Sequence, residues 1–136
     1  MRRAALDYHR ASGGRSAGNG ALMRNGVVGL TRLHDPRATA AAARAVASLT
    51  HADPLAADSC VIQAEMIRAH VVSPEWEGRP FNGARPLAAL EPVGAERRGY
   101  WHGLFDGGVY DPANWDSPGL PPADGFTVDA LGKACL

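Results

Sequence analysis

Several features that define common protein classes are scarce in this sequence of 136 residues. It contains two cysteines, Cys60 and Cys135, whose spacing fits no zinc site, so neither a disulfide framework nor a zinc knuckle is predicted. Basic and acidic residues number fourteen each. This zero net charge argues against a nucleic-acid partner and against an acidic, disordered tail.

Long apolar runs and paired carboxylates are also missing from the sequence. No apolar run approaches the roughly 18 residues needed to span a bilayer, and no apolar segment of a secretory signal follows the basic N-terminal residues. We therefore expect no membrane partner and a cytoplasmic location. No two acidic residues are adjacent and no Asp-x-Asp occurs, so no set of metal ligands can be assembled for a hard cation.

Helix-forming stretches account for most of the remaining sequence. Hydrophobic residues make up 46% of the chain, which is enough for one core of ordinary size. Helices are predicted at about residues 3–11, 21–33, 36–49 and 54–72, and a further helix starts near residue 126. Asp35-Pro36 and Asp53-Pro54 supply an N-cap residue followed by proline at the first helical position. No segment shows the alternation of a half-buried strand, so the predicted fold class is all-α.

Proline divides the single predicted domain, residues 1–136, into three parts. Eight of the ten prolines lie in residues 73–125, so no long helix is expected there. This long Pro/Gly-rich segment separates a helical region, residues 1–72, from the start of a further helix in residues 126–136. Its five Trp and Phe side chains are expected to be exposed, and these are Trp76, Phe81, Trp101, Phe105 and Trp115.

The most informative local pattern is the glycine-rich run Ser16-Ala17-Gly18-Asn19-Gly20. A glycine-rich turn that leads into a helix N-terminus offers backbone N–H groups to an anion, and the helix dipole favours negative charge there. Ser16 and Asn19 add side-chain donors, so a phosphate or pyrophosphate suits the loop. The alternative is a plain turn with no ligand. The loop is not a P-loop, because no Gly-Lys-Ser/Thr run follows it.

Two further side chains are candidates for ligand contact. His51 precedes a capped helix start, where its ring either meets a ligand held by the loop or bonds a backbone carbonyl. Arg24 lies one turn into the helix after the loop, where its guanidinium either clamps a phosphate or braces the loop. The other histidines show no spacing that a shared metal would require.

The run from Ser16 to Arg24, Ser-Ala-Gly-Asn-Gly-Ala-Leu-Met-Arg, resembles the ADP-ribosylglycohydrolase family, which includes the dinitrogenase-reductase-activating glycohydrolases. The resemblance continues in Ser48-Leu49-Thr50-His51-Ala52-Asp53-Pro54 and, more loosely, in residues 97–101 and 125–131. It covers nearly the whole chain.

This resemblance implies an all-α hydrolase that cleaves the glycosidic bond between ADP-ribose and a protein side chain or small acceptor. The implied partner is an ADP-ribosylated protein or another ADP-ribose derivative. The loop matching Ser16, Ala17, Gly18, Asn19 and Gly20 wraps the diphosphate and ribose in the family, and the histidine matching His51 also contacts the ligand. Members of the family also hold two divalent ions, usually Mg²⁺ or Mn²⁺, which position a water near the scissile carbon.

The chain departs from the family in its metal ligands. In the family, the metal ligands come from a Thr-Asp-Asp-Thr-like run upstream of the loop and a Gly-x-Asp-Thr-Asp-Thr-like run downstream of it. Neither run occurs in this sequence. The sequence thus looks like a central piece of a family domain about twice its length. Three interpretations follow: a truncated piece of a hydrolase, a metal-free module that binds ADP-ribose, or an inactive helical remnant.

Overall fold

The structure, a computed structural model, describes residues 1–73, 89–110 and 125–135, and within them the regular structure is helical. The described residues form six α-helices and a 3₁₀ segment at Gly26–Leu30 that directly follows the second helix. The helices are α1 (Arg2–Ala11), α2 (Gly20–Asn25), α3 (Pro36–Ala47), α4 (Pro54–Val72), α5 (Ala95–Phe105) and α6 (Thr127–Cys135). The all-α prediction is confirmed.

The two Asp-Pro pairs start helices as the sequence predicts. The Asp35 carboxylate accepts a hydrogen bond from the Ala38 amide at 2.9 Å, and the Asp53 carboxylate accepts one from the Leu55 amide at 3.0 Å. Each bond satisfies a backbone donor that the first helical turn leaves without an intrahelical acceptor. The predicted start of α3 at 36 and the predicted range of α4, 54–72, agree with the structure.

Helix α4 forms the centre of the core. It packs against α2, α3, α6 and the 3₁₀ segment, and Cys60, Val61 and Ile62 on it are fully buried. Apolar residues lie on several of its faces, which is the pattern of a helix surrounded by other helices. Helix α3 approaches α4 through small side chains, since Ala43 and Ala47 are fully buried. No helix of the described ranges is long and apolar enough to cross a membrane.

The single helix predicted over residues 21–33 is wrong. Helix α2 ends at Asn25, and the chain continues as the 3₁₀ segment from Gly26 to Leu30. The buried side chain of Asn25 donates to the Cys60 carbonyl at 2.7 Å and to Gln63 Oε1 at 3.1 Å. These bonds fix the end of α2 on α4, and the glycines that follow lower the helix propensity and permit a tighter turn.

The expectation that residues 73–125 hold no long helix is also wrong, because α5 spans eleven residues, Ala95–Phe105. No proline occurs between Pro92 and Pro112, so nothing interrupts a helix within that interval. Trp101 and Phe105, expected to be exposed, are 0% and 1% exposed because α5 turns both into the core. Trp76, Phe81 and Trp115 lie outside the described residues.

Candidate functional site

A cleft of about 680 Å³ lies between the glycine-rich loop and the start of α4. Its volume is within the range of ligand pockets, roughly 300–1,000 Å³. Three chain segments and one residue of α1 form the wall, namely residues 14–18, residues around the α4 N-terminus, Gly125-Phe126, and Tyr8. The members at the α4 end are Thr50, His51, Asp53 and Leu55.

The loop is held in place by the chain before α6. The Asn19 amide donates to the Gly125 carbonyl and the Thr127 amide donates to the Ala17 carbonyl, each at 2.8 Å. These two bonds flank an isolated antiparallel bridge between Gly18 and Phe126. In such a pair the bridged residues direct their own N–H and C=O groups away from each other. The Gly18 amide therefore points away from Phe126, and no hydrogen bond between described residues engages it.

The glycine-rich loop has fewer N–H groups available to an anion than the sequence predicts. The Asn19 amide is already bonded to Gly125, and helix α2 has only six residues, so its dipole adds little. The Ser16 amide is also used, since it donates to Asp53 Oδ2 at 3.3 Å. The Gly18 amide and the Ser16 hydroxyl, both on the cleft wall, are among the donors that the loop still offers a ligand.

The ring of His51 packs against the two loop glycines. A Cβ at Gly18 would lie 3.4 Å from His51 Nε2, and a Cβ at Gly20 would lie 3.4 Å from His51 Cε1. A larger side chain at either position would take the space that the imidazole occupies. The glycines therefore let the histidine and the loop share one wall of the cleft.

The protonation of His51 is set by its neighbours. Burial, aided by the charge of Arg24 and opposed by Asp53, lowers the pKa of His51 below its ordinary value of 6.5, so the neutral imidazole is favoured at pH 7. His51 Nδ1 lies 2.8 Å from Thr50 Oγ1, which accepts a hydrogen bond from the Arg24 guanidinium. Because Arg24 only donates, the Thr50 hydroxyl can give its proton to Nδ1. When Thr50 donates to Nδ1, the neutral His51 ring carries its own proton on Nε2, the nitrogen beside Gly18.

Arg24 is held by protein acceptors. Its guanidinium donates to the Gly20 carbonyl at 3.4 Å and to the Val46 carbonyl at 3.3 Å, in addition to Thr50. These bonds connect α2, α3 and the residue before His51. Of the two roles considered for Arg24, this geometry is that of a brace.

The structure brings together part of the predicted set of site residues. Ser16, Ala17, Gly18 and His51 line the cleft. Asn19, Gly20 and Arg24 are not among the described residues that line it, and their contacts support the loop or the histidine. Direct ligand contact by these last three residues stays a prediction.

Eight of the twelve residues that line the cleft lie outside the set predicted from the sequence, and these include two aromatic and two charged residues. Tyr8 and Arg15 both precede the loop in the sequence. An aromatic or basic residue shortly before a glycine-rich turn could have indicated a ligand contact. Asp53 was predicted only as a helix cap, but its carboxylate also bonds the Ser16 amide. Phe126 is distant in sequence, and only the bridge to Gly18 reveals its place.

The described residues do not fit the binuclear metal centre that the resemblance implies. In residues 1–73, 89–110 and 125–135, no three His, Cys, Asp or Glu side chains converge on one point. The thiol of Cys60 offers no nucleophile either, since burial raises its pKa from 9.0 to about 12 and keeps it protonated. The described part of the cleft offers a ligand hydrogen-bonding groups and packing surface.

The comparisons with known proteins give one family. The model of the ADP-ribosylglycohydrolase family matches residues 1–113, which include the glycine-rich loop, His51 and helices α1 to α5. Comparisons with curated proteins and with solved structures gave no match. A match over this much of the chain shows that the protein belongs to the ADP-ribosylglycohydrolase family.

Proposed function

We propose that the cleft binds the ADP-ribose unit of an ADP-ribosylated protein or of a small ADP-ribose derivative. In this proposal the chain performs the substrate recognition of a hydrolase that acts on the glycosidic bond of ADP-ribose. The observation that carries it is the shared wall of Gly18 and His51, because a ring nitrogen and a backbone amide that no hydrogen bond between described residues engages belong to two residues that line a cleft of nucleotide size. Such donors suit diphosphate and ribose oxygens.

The cleft lining combines two kinds of chemistry, and this supports the proposal. Ser16, Gly18 and His51 supply donors on one wall, and Arg15 adds a cation that favours an anionic group. Tyr8 and Phe126 add aromatic rings to the lining. A nucleobase stacks on such rings, so a ligand that joins a base to a diphosphate matches both parts of the lining.

Binding of ADP-ribose is the first prediction. Titration calorimetry of the chain with ADP-ribose, without metal ions, should show saturable binding of one ligand per chain. Gly18→Leu should weaken this binding by at least about tenfold, a loss of about 1.4 kcal/mol or more, because the added side chain occupies the space between the loop and His51.

Gly99→Leu is the matched control for that titration. Gly99 lies in α5, no atom is within 4 Å of a Cβ placed there, and the residue is not on the cleft wall. It should bind ADP-ribose as the unsubstituted chain does. Flat titrations with the unsubstituted, folded chain would contradict the proposal, and equal binding by Gly18→Leu would move the site elsewhere.

Release of ADP-ribose is the second prediction, and it separates catalysis from binding. Mg²⁺ or Mn²⁺ added to the chain together with an ADP-ribosylated protein should release no more ADP-ribose than a heat-inactivated sample. The reason is that no acidic pair occurs in the sequence and no ligand cluster occurs in the described residues, so the charge stabilisation that bound ions supply is lost.

The outcomes of these two experiments separate the interpretations in which the chain recognises ADP-ribose from the one in which it does not. Binding without release agrees both with a truncated piece of a hydrolase and with a metal-free module that recognises ADP-ribose. Neither binding nor release in a folded chain favours an inactive helical remnant. Metal-dependent release above the heat-inactivated control would overturn the second prediction and show that this chain assembles a metal centre of its own.

A further inference from the structure

Three polar side chains from three different segments of the chain meet beside the cleft, and two of them, Ser16 and Asp53, line it. His9 on α1 has its Nδ1 atom 2.6 Å from the hydroxyl oxygen of Ser16 and 3.9 Å from Asp53 Oδ2. The same Asp53 oxygen accepts the Ser16 backbone amide at 3.3 Å. Ser16 is 8% exposed and Asp53 is 5% exposed, so the cluster is largely shielded from water.

The cluster is not a nucleophilic triad. In a Ser–His–Asp triad the hydroxyl bonds one ring nitrogen and the carboxylate bonds the other. Here both neighbours of His9 approach the same nitrogen, Nδ1. His9 therefore cannot pass a proton from Ser16 towards Asp53, and its role must lie in orienting the hydroxyl.

The carboxylate decides the direction of the hydrogen bond between His9 and Ser16. The negative charge of Asp53, 3.9 Å from Nδ1, favours a proton on that nitrogen over one on the distant Nε2. The Nδ1–H group then donates to Ser16 Oγ, and the Ser16 hydroxyl keeps its own proton for another acceptor. With the opposite direction, Ser16 would present only lone pairs to the cleft and would repel a phosphate oxygen.

We infer that His9 is a positioning residue for phosphate recognition, because it holds the Ser16 hydroxyl as a donor directed at an anionic group in the cleft. This inference rests on the proposed function. It also assigns a purpose to the turn between α1 and the loop. Gly13 and Gly14 have φ values of +63° and +79°, a conformation that other residues rarely adopt, and they bring Ser16 back beside His9.

This role is tested by substitutions of His9 that place a polar group at the position of Nδ1 or beyond it. The amide group of His9→Asn reaches the position of Nδ1, whereas the amide group of His9→Gln extends past it. His9→Asn should therefore bind ADP-ribose within about threefold of the unsubstituted chain, while His9→Gln and His9→Ala should bind about tenfold more weakly, the size expected for one lost hydrogen bond to a charged group. Calorimetric titration measures all three.

Two further measurements distinguish positioning from a general effect on folding. Adenosine, which has no phosphate, should bind His9→Ala as well as it binds the unsubstituted chain. Ser16→Ala should weaken ADP-ribose binding about as much as His9→Ala, and the double substitution should weaken it no further, since both remove the same donor. Leu6→Ala, at a largely exposed position of the same helix, is the control and should change nothing.

The outcomes separate failure of this inference from failure of the proposed function. If the unsubstituted chain does not bind ADP-ribose, both are overturned. If it binds, and His9→Ala binds equally well, only the role of His9 is overturned. The same holds if His9→Asn is as weak as His9→Gln, or if the effects of His9→Ala and Ser16→Ala add in full. Should His9→Ala not fold, the comparison of His9→Asn with His9→Gln decides.

Discussion

Arg97→Ala should lower the free energy of unfolding by about 3 kcal/mol, the cost of leaving a buried charge without its partner. Asp58 on α4 is 0% exposed. Its carboxylate accepts hydrogen bonds from Arg97 Nε and, at 3.2 Å, from Arg97 Nη2. Without the guanidinium, the one side-chain donor left to the carboxylate among the described residues would be the indole N–H of Trp101, 3.4 Å away. Urea unfolding followed by circular dichroism measures the change.

Glu96→Ala is the matched control for this substitution. Glu96 pairs with the same guanidinium at 2.8 Å, but its side chain is 66% exposed. An exposed pair contributes about 0–1 kcal/mol, so the loss should be under about 0.5 kcal/mol. Equal effects of the two substitutions would contradict the claim that burial of Asp58 makes the pair important. A small effect of Arg97→Ala alone would mean that water reaches the carboxylate.

The Asp58–Arg97 pair also gives a structural reason for one part of the family resemblance. The run Arg97-Arg98-Gly99-Tyr100-Trp101 lies on α5, and both Arg97 and Trp101 contact Asp58 on α4. In addition, Arg98 donates to the carbonyl of Val93 at 3.1 Å. The run thus fixes α5 on the core and contributes no residue to the described wall of the cleft.

Local sequence chemistry predicts the helix starts well and the ends of elements poorly. Asp35-Pro36 and Asp53-Pro54 each combine a side-chain acceptor with a fixed φ, and both signals act within a few residues. The break after Asn25 depends instead on its hydrogen bonds to α4, which a local pattern cannot show. The high proline content of residues 73–125 as a whole hides helix α5, because the prolines are unevenly spaced and none lies within that helix.

The candidate site likewise has features that the local sequence predicts and features that depend on tertiary contacts. The glycine-rich loop and His51 are recognisable because each stands beside a helix start, and the structure places them on one wall. The fate of the individual amides was not predictable, since the bond that occupies the Asn19 amide comes from Gly125. Likewise, the short contact between His9 and Ser16 needs the turn through Gly13 and Gly14, whose path follows from tertiary packing.

The two glycines that follow α2 should respond to the same substitution with opposite signs. A Cβ at Gly29 would lie 2.7 Å from the Ala64 carbonyl oxygen and 2.9 Å from Ile67 Cβ. Both atoms belong to α4, and neither can move without shifting that helix. Gly29→Ala should therefore destabilise the fold by about 3 kcal/mol, at the upper end of what overpacking usually costs.

Gly26→Ala is the control, because it makes the identical chemical change in the same segment. A Cβ at Gly26 would meet only Ile67 Cδ1, at 3.9 Å, which is ordinary contact. Gly26 has φ −52° and ψ −40°, a conformation that alanine adopts readily. The substitution should raise stability by about 0.5–1 kcal/mol, since alanine has less backbone freedom to lose on folding. Urea midpoints that move in the same direction for both variants would show that helix propensity, and not the close approach of Gly29 to α4, governs this segment.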